Sequence, residues 1–313
     1  MSKLTFDEFK ETVKNEVKEF LPENFHTADI KLKVFEKNNN VKLTGLIIES
    51  DCNMSPTIYI DNFYKKYQEG TDINIILQEI AKIRMEYNVT DDFDVTTVTD
   101  FNKCRKKIMP RLIGAEENSE ILKVRPHIRI ENLAVTFCID LGENKEGLMS
   151  VPVQFELMET WNVTAEQLYE IALENLTKAD IGVFIPMKEI LFAGVLSELK
   201  EICDGDEEEA RRKLDQMIPD NNLWVLTNKR RVNGANMLLD RSVMEDVIKE
   251  VGTDFFILPS SIHECIILPA DSGMDSQQLE AMVCEVNETQ VEKEERLSNS
   301  VYRYTLENGI TLA

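Results

Sequence analysis

A compact polar group set between two apolar runs is the strongest candidate for chemistry in this chain. The apolar runs are residues 255–258 and 265–268, and their length and their Phe and Ile content predict two short buried strands. The second strand is predicted to pair antiparallel beside the first. Buried polar groups without partners cost about 1–3 kcal/mol each, so groups placed between such strands are paired or functional. The candidates for catalysis are Ser260, Ser261, His263 and Glu264.

A serine hydroxyl beside a histidine suggests a nucleophile and its general base, the pair used by many hydrolases. Proton transfer between them needs a separation of about 2.6–3.2 Å. Ser261 and His263 would share one face of a strand, but such neighbours lie about 6.6–7 Å apart. A turn at residues 259–261, or a partner from elsewhere, is therefore required. Catalysis, ligand binding and a structural turn all remain open, and the structural role is the one that we predict.

No metal or cofactor site is predicted. His263-Glu264 begins an H-E-x-x-H pattern, but position 267 is Ile, so the zinc motif is incomplete. The other histidines, His26 and His127, are far away in the sequence, and the six cysteines contain no C-x-x-C pair.

A second polar segment, residues 228–234, supplies candidates for ligand binding. It follows a predicted strand and precedes a predicted helix, so its backbone amides could face an anion. The segment carries neither a P-loop nor a G-x-G-x-x-G pattern, and a surface loop with solvated charges is the preferred interpretation. The candidate ligand-binding residues are Asn228, Lys229, Arg230, Arg231, Asn233 and Gly234.

Composition limits the class of protein and its partners. The 313 residues are 43% hydrophobic and 29% charged, as expected for a folded soluble protein, and the formal charge is −22. This charge argues against direct nucleic-acid binding, although an acidic decoy that imitates nucleic acid would share it. The scattered cysteines favour a reducing cytoplasm. The most apolar stretch, residues 181–196, contains Pro186, Lys188 and Glu189 and is too short and too charged to span a membrane. The N-terminus carries no signal-peptide pattern.

The pattern of elements predicts two α+β domains with largely antiparallel sheets. Residues 1–90 read as an α-β-β-β-α-α domain: a helix over 4–20, a hairpin over 30–48, a strand over 57–60, and helices from an Asp61 cap to 67 and from 71–72 to 87. Residues 91–313 form a second mixed domain. Residues 201–212 hold six acids and predict an exposed linker or insertion, with a possible subdivision near 203–210.

The second domain is predicted to alternate strands and helices. The predicted helices are one that opens with a capping box at Thr164, one over 235–251 and one over 276–286. Besides the two strands around the polar group, the predicted strands cover residues 107–113, 133–141, 148–155, 223–227, 301–306 and 310–312.

A resemblance to known proteins is carried by residues 161–175, 226–228, 233–235, 258–264, 286–287, 297–298 and 301–302. These segments resemble a family of bacterial cytoplasmic proteins of about this length and of unknown function, often encoded among accessory or mobile-element genes. It implies no known activity and therefore transfers no catalytic residue.

Three functions are open on these observations. The first is a non-enzymatic, cytoplasmic binding or regulatory protein, whose partner is a protein or a small molecule and not nucleic acid or a membrane. The second is a small-molecule or acyl hydrolase centred on Ser260, Ser261 and His263. The third is an acidic decoy of a DNA-binding partner. The first is the one that we predict.

Overall fold

The chain forms two compact units. The computed structural model describes residues 3–49, 55–86, 94–144, 147–203, 206–217 and 222–313. The units are Met1–Thr96 and Thr97–Ala313. Within the described residues the strands form three antiparallel sheets among helices, so the predicted α+β class is confirmed. The independent folding of residues 1–90 and 91–313 stays a prediction.

The first unit is a three-stranded sheet covered by helices. The predicted hairpin is confirmed, because β1 and β2 pair in register from Ile30↔Ile48 onward. The predicted helix cap at Asp61 is wrong: Asp61 is the first helical residue, and its Oδ2 accepts the Thr44 N–H at 2.7 Å. The elements are α1 (Phe6–Glu16), β1 (Ile30–Glu36), β2 (Lys42–Ile48), β3 (Thr57–Tyr59), α2 (Asp61–Glu69) and α3 (Ile73–Glu86).

The second unit contains ten strands and eight helices in its described part, and the short helix α4 (Thr96–Thr99) crosses the division between the units. The helices are α5 (Phe101–Cys104), α6 (Ser119–Leu122), α7 (Phe155–Trp161), α8 (Ala165–Ala179), α9 (Met187–Ile202), α10 (Glu207–Met217), α11 (Arg241–Val251) and α12 (Ser276–Thr289). The strands are β4 (Ile108–Gly114), β5 (His127–Ile130), β6 (Leu133–Asn144), β7 (Gly147–Pro152), β8 (Gly182–Pro186), β9 (Trp224–Asn228), β10 (Phe255–Leu258), β11 (Cys265–Pro269), β12 (Tyr302–Thr305) and β13 (Gly309–Leu312).

Two sheets organise this unit. In the smaller sheet the long strand β6 pairs with β4, β5 and β7. The larger sheet has the order β13-β12-β10-β11-β9-β8. Side chains alternate across each strand, so the larger sheet has two faces. One face contributes Leu226, Ile257 and Cys265 to the main core, and the other packs Leu258 and Leu268 against α12.

A helical hairpin is inserted between the neighbouring strands β8 and β9. Its helices α9 and α10 have a small core of their own, and Arg211 Nη1 lies 2.6 Å from Glu189 Oε1 across them. Of the two alternatives predicted for residues 201–212, the linker is wrong from Glu207 onward, because these residues form α10 and belong to the insertion. Asp204 lies outside the described residues. The core residues of the hairpin are Phe192, Leu199, Cys203 and Ala210.

The predicted helix over 235–251 is interrupted. Gly234–Leu239 is a 3-10 helix, and α11 begins after Asp240, whose Oδ1 accepts the N–H groups of Ser242 and Val243. Asp240 caps the new helix because its carboxylate satisfies amides that have no partner inside the helix. Beyond the break, α11 lies beside β8, where a Cβ added to Gly182 would be 2.8 Å from Val243 Cγ2.

No helix in the described part of the chain is long and apolar enough to cross a membrane.

Candidate functional site

The two polar segments identified in the sequence lie against each other. We call residues 259–264 the histidine turn and residues 228–234 the asparagine loop. The turn joins β10 to β11, which pair antiparallel as predicted from Leu258↔Ile266 to Phe255↔Pro269. The loop leaves β9, which pairs with β11 on its other side. The strand order β10-β11-β9 therefore places the turn and the loop at the same end of the larger sheet.

Ser261 stabilises the histidine turn. Its Oγ accepts the N–H of His263 at 3.0 Å and the N–H of Glu264 at 3.3 Å. This local hydrogen bonding is the usual way in which a serine closes a tight turn. Ser260 and Ser261 are both buried, whereas the Glu264 side chain is exposed. The Ser261 hydroxyl is thus turned toward the backbone of its own turn and away from a role as a nucleophile.

His263 is held by the asparagine loop. The Asn233 N–H donates to His263 Nδ1 at 3.1 Å, which places the ring proton of a neutral His263 on Nε2. Nε2 faces Glu295 Oε1 at 3.6 Å, and 29% of the side chain is exposed. A general base needs a free nitrogen lone pair, and the neutral ring has its only one occupied. This geometry favours the structural role over proton abstraction from a serine.

Gly234 lets the loop and the turn approach closely. A Cβ at this position would lie 2.3 Å from His263 O and 2.3 Å from Thr227 Oγ1. The Thr227 hydroxyl donates to His263 O at 2.8 Å, and the Ala235 N–H donates to Ile262 O at 3.1 Å. Only glycine leaves room for this contact, which explains its place at the end of the loop.

Asn228 closes the asparagine loop on itself. Its Nδ2 donates to Val232 O at 2.9 Å and to Asp180 Oδ2 at 2.7 Å, while its Oδ1 accepts the Val232 N–H at 3.2 Å. The side chain is buried and fully used. Because the amides of Val232, Asn233 and Ala235 have protein partners, the backbone has little left to offer an anion.

The three cations of the loop are exposed. Arg230 Nη1 lies 3.3 Å from Asp140 Oδ2, a pair in which 38% of the arginine side chain remains exposed. Lys229 and Arg231 form no ion pair with another of the described residues. Solvated charges on a surface loop, as predicted from the sequence, account for this arrangement. Ligand binding by Lys229, Arg230 or Arg231 stays a prediction.

The cysteine that follows the histidine turn is poorly suited to catalysis. Cys265 follows the histidine turn but points into the core, and burial raises the pKa of its thiol far above the ordinary range. A thiol with so high a pKa is a poor nucleophile. Among the described residues no cluster of His, Cys, Asp and Glu has the arrangement of a metal site.

Two buried asparagines hydrogen-bond to backbone groups of other segments, and these contacts were not predicted from the sequence. Asn236 bridges to β4, accepting the Leu112 N–H at 3.0 Å and donating to Pro110 O at 2.9 Å. The Asn175 Nδ2 donates to the carbonyls of Arg105 and Ile108. The sequence does indicate that Asn175 is buried, since this residue falls on the apolar face of α8. A polar amide at a core position is retained when it satisfies buried backbone groups.

A groove between β8 and α11 was not predicted either. It has a volume of about 390 Å³ and lies on the core-facing side of the sheet edge. Phe184 and Trp224 stack along it, with ring centroids 5.9 Å apart and planes 13° apart, and both are partly exposed. Asp246 and Glu250 stand on the α11 side. The remaining lining residues are Gly182, Pro186, Val243 and Val247.

The carboxylate of Asp240, which caps α11, has a lowered pKa. Burial alone would raise the pKa of Asp240, but hydrogen bonds from the Ser242 and Thr177 hydroxyls and from backbone amides lower the pKa below its usual value. The ionised form is therefore the one that the folded protein stabilises, which fixes the start of the helix that bears Asp246 and Glu250.

Two further cavities on this unit, of about 790 Å³ and 330 Å³, lie along the β12–β13 edge. The larger is lined by the ion pair of Asp254 and Arg303, whose oxygen and nitrogen are 3.0 Å apart. His263 and Ser261 line neither of these cavities nor the groove. The polar group identified in the sequence therefore lies outside the groove and outside these two cavities.

Comparison with known proteins gives a family but no activity. Neither a curated protein nor a solved structure is significantly similar to this chain. A family model with the description "Family of unknown function (DUF5688)" matches residues 6–305, which is nearly the whole chain. The match agrees with the predicted membership of a family of unknown function, while the bacterial and mobile-element setting stays a prediction. On this match, the chain belongs to the family of unknown function DUF5688.

Proposed function

We propose that this chain is a non-enzymatic binding protein whose binding site is the groove between β8 and α11. The observation that carries the proposal is the stacked pair Phe184–Trp224, left partly exposed beside two carboxylates at the edge of a sheet. Aromatic residues are enriched where proteins bind partners, since they bury much area at little entropic cost. A cytoplasmic location, and a partner that is a protein or a small molecule, belong to the same proposal.

The hydrolase alternative has little support from the geometry. Ser261 Oγ accepts two backbone N–H groups of its own turn, and His263 Nδ1 accepts a third from Asn233. A hydrolase would need the serine and the imidazole to face each other, with donors aimed at a developing oxyanion. The histidine turn instead connects β10 and β11 to β9 and the asparagine loop through hydrogen bonds.

The decoy alternative rests on charge alone. A nucleic-acid mimic presents free carboxylates in a row, but several acids of the inserted hairpin are already paired with cations. Lys213 Nζ lies 3.3 Å from Glu209 Oε1, and Lys188 Nζ lies 2.7 Å from Asp215 Oδ1. The pair of Lys188 and Asp215 joins α9 to α10, whereas the pair of Lys213 and Glu209 lies within α10. Both favour a role of the charges in stabilising the inserted hairpin and in solubility.

Photocrosslinking tests the proposed site without knowledge of the partner. Benzoylphenylalanine replaces Phe184 in cells that naturally make the protein, and a matched variant carries it at Met282, an exposed residue on α12. We expect discrete adducts from position 184 that disappear when Asp246 and Glu250 are changed to Lys. Equal adducts from both positions, or none from position 184, would contradict the proposal.

An ester assay tests the absence of catalysis. We expect that His263→Ala and Ser261→Ala leave the hydrolysis of p-nitrophenyl acetate at the level of the unaltered protein, because neither residue is placed for nucleophilic attack. A loss of turnover on His263→Ala, with the fold intact by circular dichroism, would restore the hydrolase.

A further inference from the structure

The outer edge of β8 has hydrogen-bonding groups that another strand could use. The Lys229 N–H donates to Ile181 O, and the Met187 N–H donates to Leu223 O, at the two ends of the β8–β9 pairing. Bonded and non-bonded pairs alternate in an antiparallel ladder, so the odd-numbered residues of β8 bond to β9. The N–H and C=O groups of Gly182 and Phe184 therefore point away from β9. No other described strand pairs with that edge.

The groove lies on the face to which the same residues direct their side chains. Gly182↔Asn228 and Pro186↔Trp224 are opposite pairs, so Phe184 and Trp224 lie on one face of the sheet. A strand added beside β8 would send every second side chain to this face, next to Phe184, whose ring stacks on that of Trp224. The backbone and the groove thus form one continuous surface for an extended polypeptide.

The charge of the groove favours cations. Asp246 and Glu250 are four positions apart on α11 and so share one face of the helix. Asp246 pairs with Lys249 at 2.9 Å, but no ion pair is found for Glu250 within the described part of the chain. Glu250 lines the same groove as the two aromatic rings, so the groove offers a lysine or arginine both a carboxylate and a π face that attracts cations.

We infer that β8 is the docking edge for an extended segment of a partner protein with basic side chains at alternate positions. This inference rests on the proposed function and specifies its partner. Main-chain bonds to Gly182 and Phe184 hold the segment in register, and the groove selects its side chains. Pro186 has no N–H to donate, so the added strand loses a bond there and ends near that position.

A second copy of the chain fits the edge less well. In a symmetric β8–β8 pairing the same surface meets itself, so Asp246 and Glu250 of both copies would approach one another. Like charges across an interface are costly, and each chain has a formal charge of −22. A basic partner removes this repulsion.

Titration with designed peptides tests the inference. The probe is a capped nine-residue peptide of alternating valine and lysine, and binding is followed by calorimetry and by the emission of Trp224. One comparison peptide has glutamate in place of lysine. Another is methylated at the backbone nitrogen of each lysine, which removes these main-chain hydrogen-bond donors and keeps the side-chain charge. We expect the first peptide alone to bind, and its binding to weaken as salt is added.

Charge-reversal variants locate the site. The double variant Asp246→Lys, Glu250→Lys is expected to weaken binding about tenfold or more, since two attractive charges become repulsive. Glu288→Lys on α12 makes the same kind of charge change at an exposed position away from the groove and is expected to leave binding unchanged.

Each other outcome overturns the inference. Equal binding of the methylated peptide excludes strand addition, and equal binding of the glutamate peptide excludes selection for basic side chains. A stable dimer in solution with β8 protected assigns the edge to a second copy. If no peptide binds while Phe184 still gives discrete crosslinks, the basic segment is wrong and the proposed function stands. If both fail, the proposed function fails as well.

Discussion

Replacing Gly234 with alanine tests the close contact between the asparagine loop and the histidine turn. The new Cβ would lie 2.3 Å from His263 O and from Thr227 Oγ1 and 2.8 Å from Asn228 N. Two of these atoms are backbone, so the segments must separate and the 2.8 Å bond between Thr227 and His263 is lost. Overpacking costs about 1–3 kcal/mol and the bond about 1 kcal/mol. Alanine also lowers the conformational entropy of the unfolded chain, which stabilises the folded protein by about 0.4–1 kcal/mol.

The expected net loss in the free energy of unfolding is about 1–3.6 kcal/mol. For a unit of this size, that loss lowers the melting temperature by about 2–14 °C. Both tryptophans of the chain, Trp161 and Trp224, lie in the second unit, so tryptophan emission during thermal and urea unfolding reports on the relevant part.

Gly194→Ala is the matched control, because Gly194 lies inside α9 and a Cβ added there would meet no atom within 4 Å. Alanine is the better helix former by about 0.5–1 kcal/mol, so this variant should be unchanged or slightly more stable. If Gly234→Ala unfolds within about 0.5 kcal/mol of the unaltered protein, the two segments are not in tight contact and the expected loss is wrong.

Four further outcomes are expected. His263→Ala should lower the free energy of unfolding by about 1–2 kcal/mol in urea, because the Asn233 N–H loses its acceptor; no change in stability would mean that water replaces the ring at no cost. Asp240→Ala should cost about 1 kcal/mol at neutral pH. The pKa of Asp240 is lower in the folded protein than in the unfolded chain. The ionic part of this stabilisation is therefore present above the unfolded pKa of about 3.9 and is lost as the pH falls through the folded pKa. If the difference in the free energy of unfolding between the unaltered protein and Asp240→Ala grows toward pH 2, the assignment is contradicted. Changing Glu207, Glu208 and Glu209 together to Gln should lower the melting temperature by no more than about 3 °C, since exposed first-turn acids contribute little each, and a larger drop would show a packed cluster. Limited proteolysis should cut first near 88–103 or 203–210, and first cuts within the paired β1–β2 hairpin would argue against a separable first domain.

Local pattern was sufficient for much of the fold. The apolar runs around the histidine turn predicted β10 and β11 and their antiparallel pairing, since two short runs joined by a tight turn have few other arrangements. The capping box at Thr164 likewise marked the start of α8. Both features depend on residues close in sequence, where spacing carries the information.

The relation between the polar segments could not be predicted. The sequence identifies the asparagine loop and the histidine turn separately, as candidates for a ligand site and for a catalytic site, although a surface loop and a structural turn are the preferred interpretations. In the structure the two segments are joined by hydrogen bonds. Their contact depends on β9 lying beside β11, and no local spacing encodes the order of strands in a sheet. The residues that share a hydrogen bond, Asn233 and His263, are 30 positions apart.

The groove could not be predicted from the sequence for a different reason. Residues 182–186 belong to the same apolar stretch as the first half of α9, which is interrupted by Lys188 and Glu189, so neither a period of two nor a period of 3.6 stands out. Only the pairing with β9 identifies β8 as a strand, and only its place at the sheet edge exposes Phe184. The proposed binding surface therefore depends on the order of strands in the sheet.

Amide exchange along β8 reports whether its outer edge is free to bind another strand. In the free protein, the N–H groups of Val183 and Ile185 should exchange slowly because they bond to β9, while those of Gly182 and Phe184 should exchange fast. Adding the valine–lysine peptide should slow exchange at Gly182 and Phe184 and leave the other two unchanged. Slow exchange at all four positions without peptide, or no change on its addition, would contradict a free docking edge at β8.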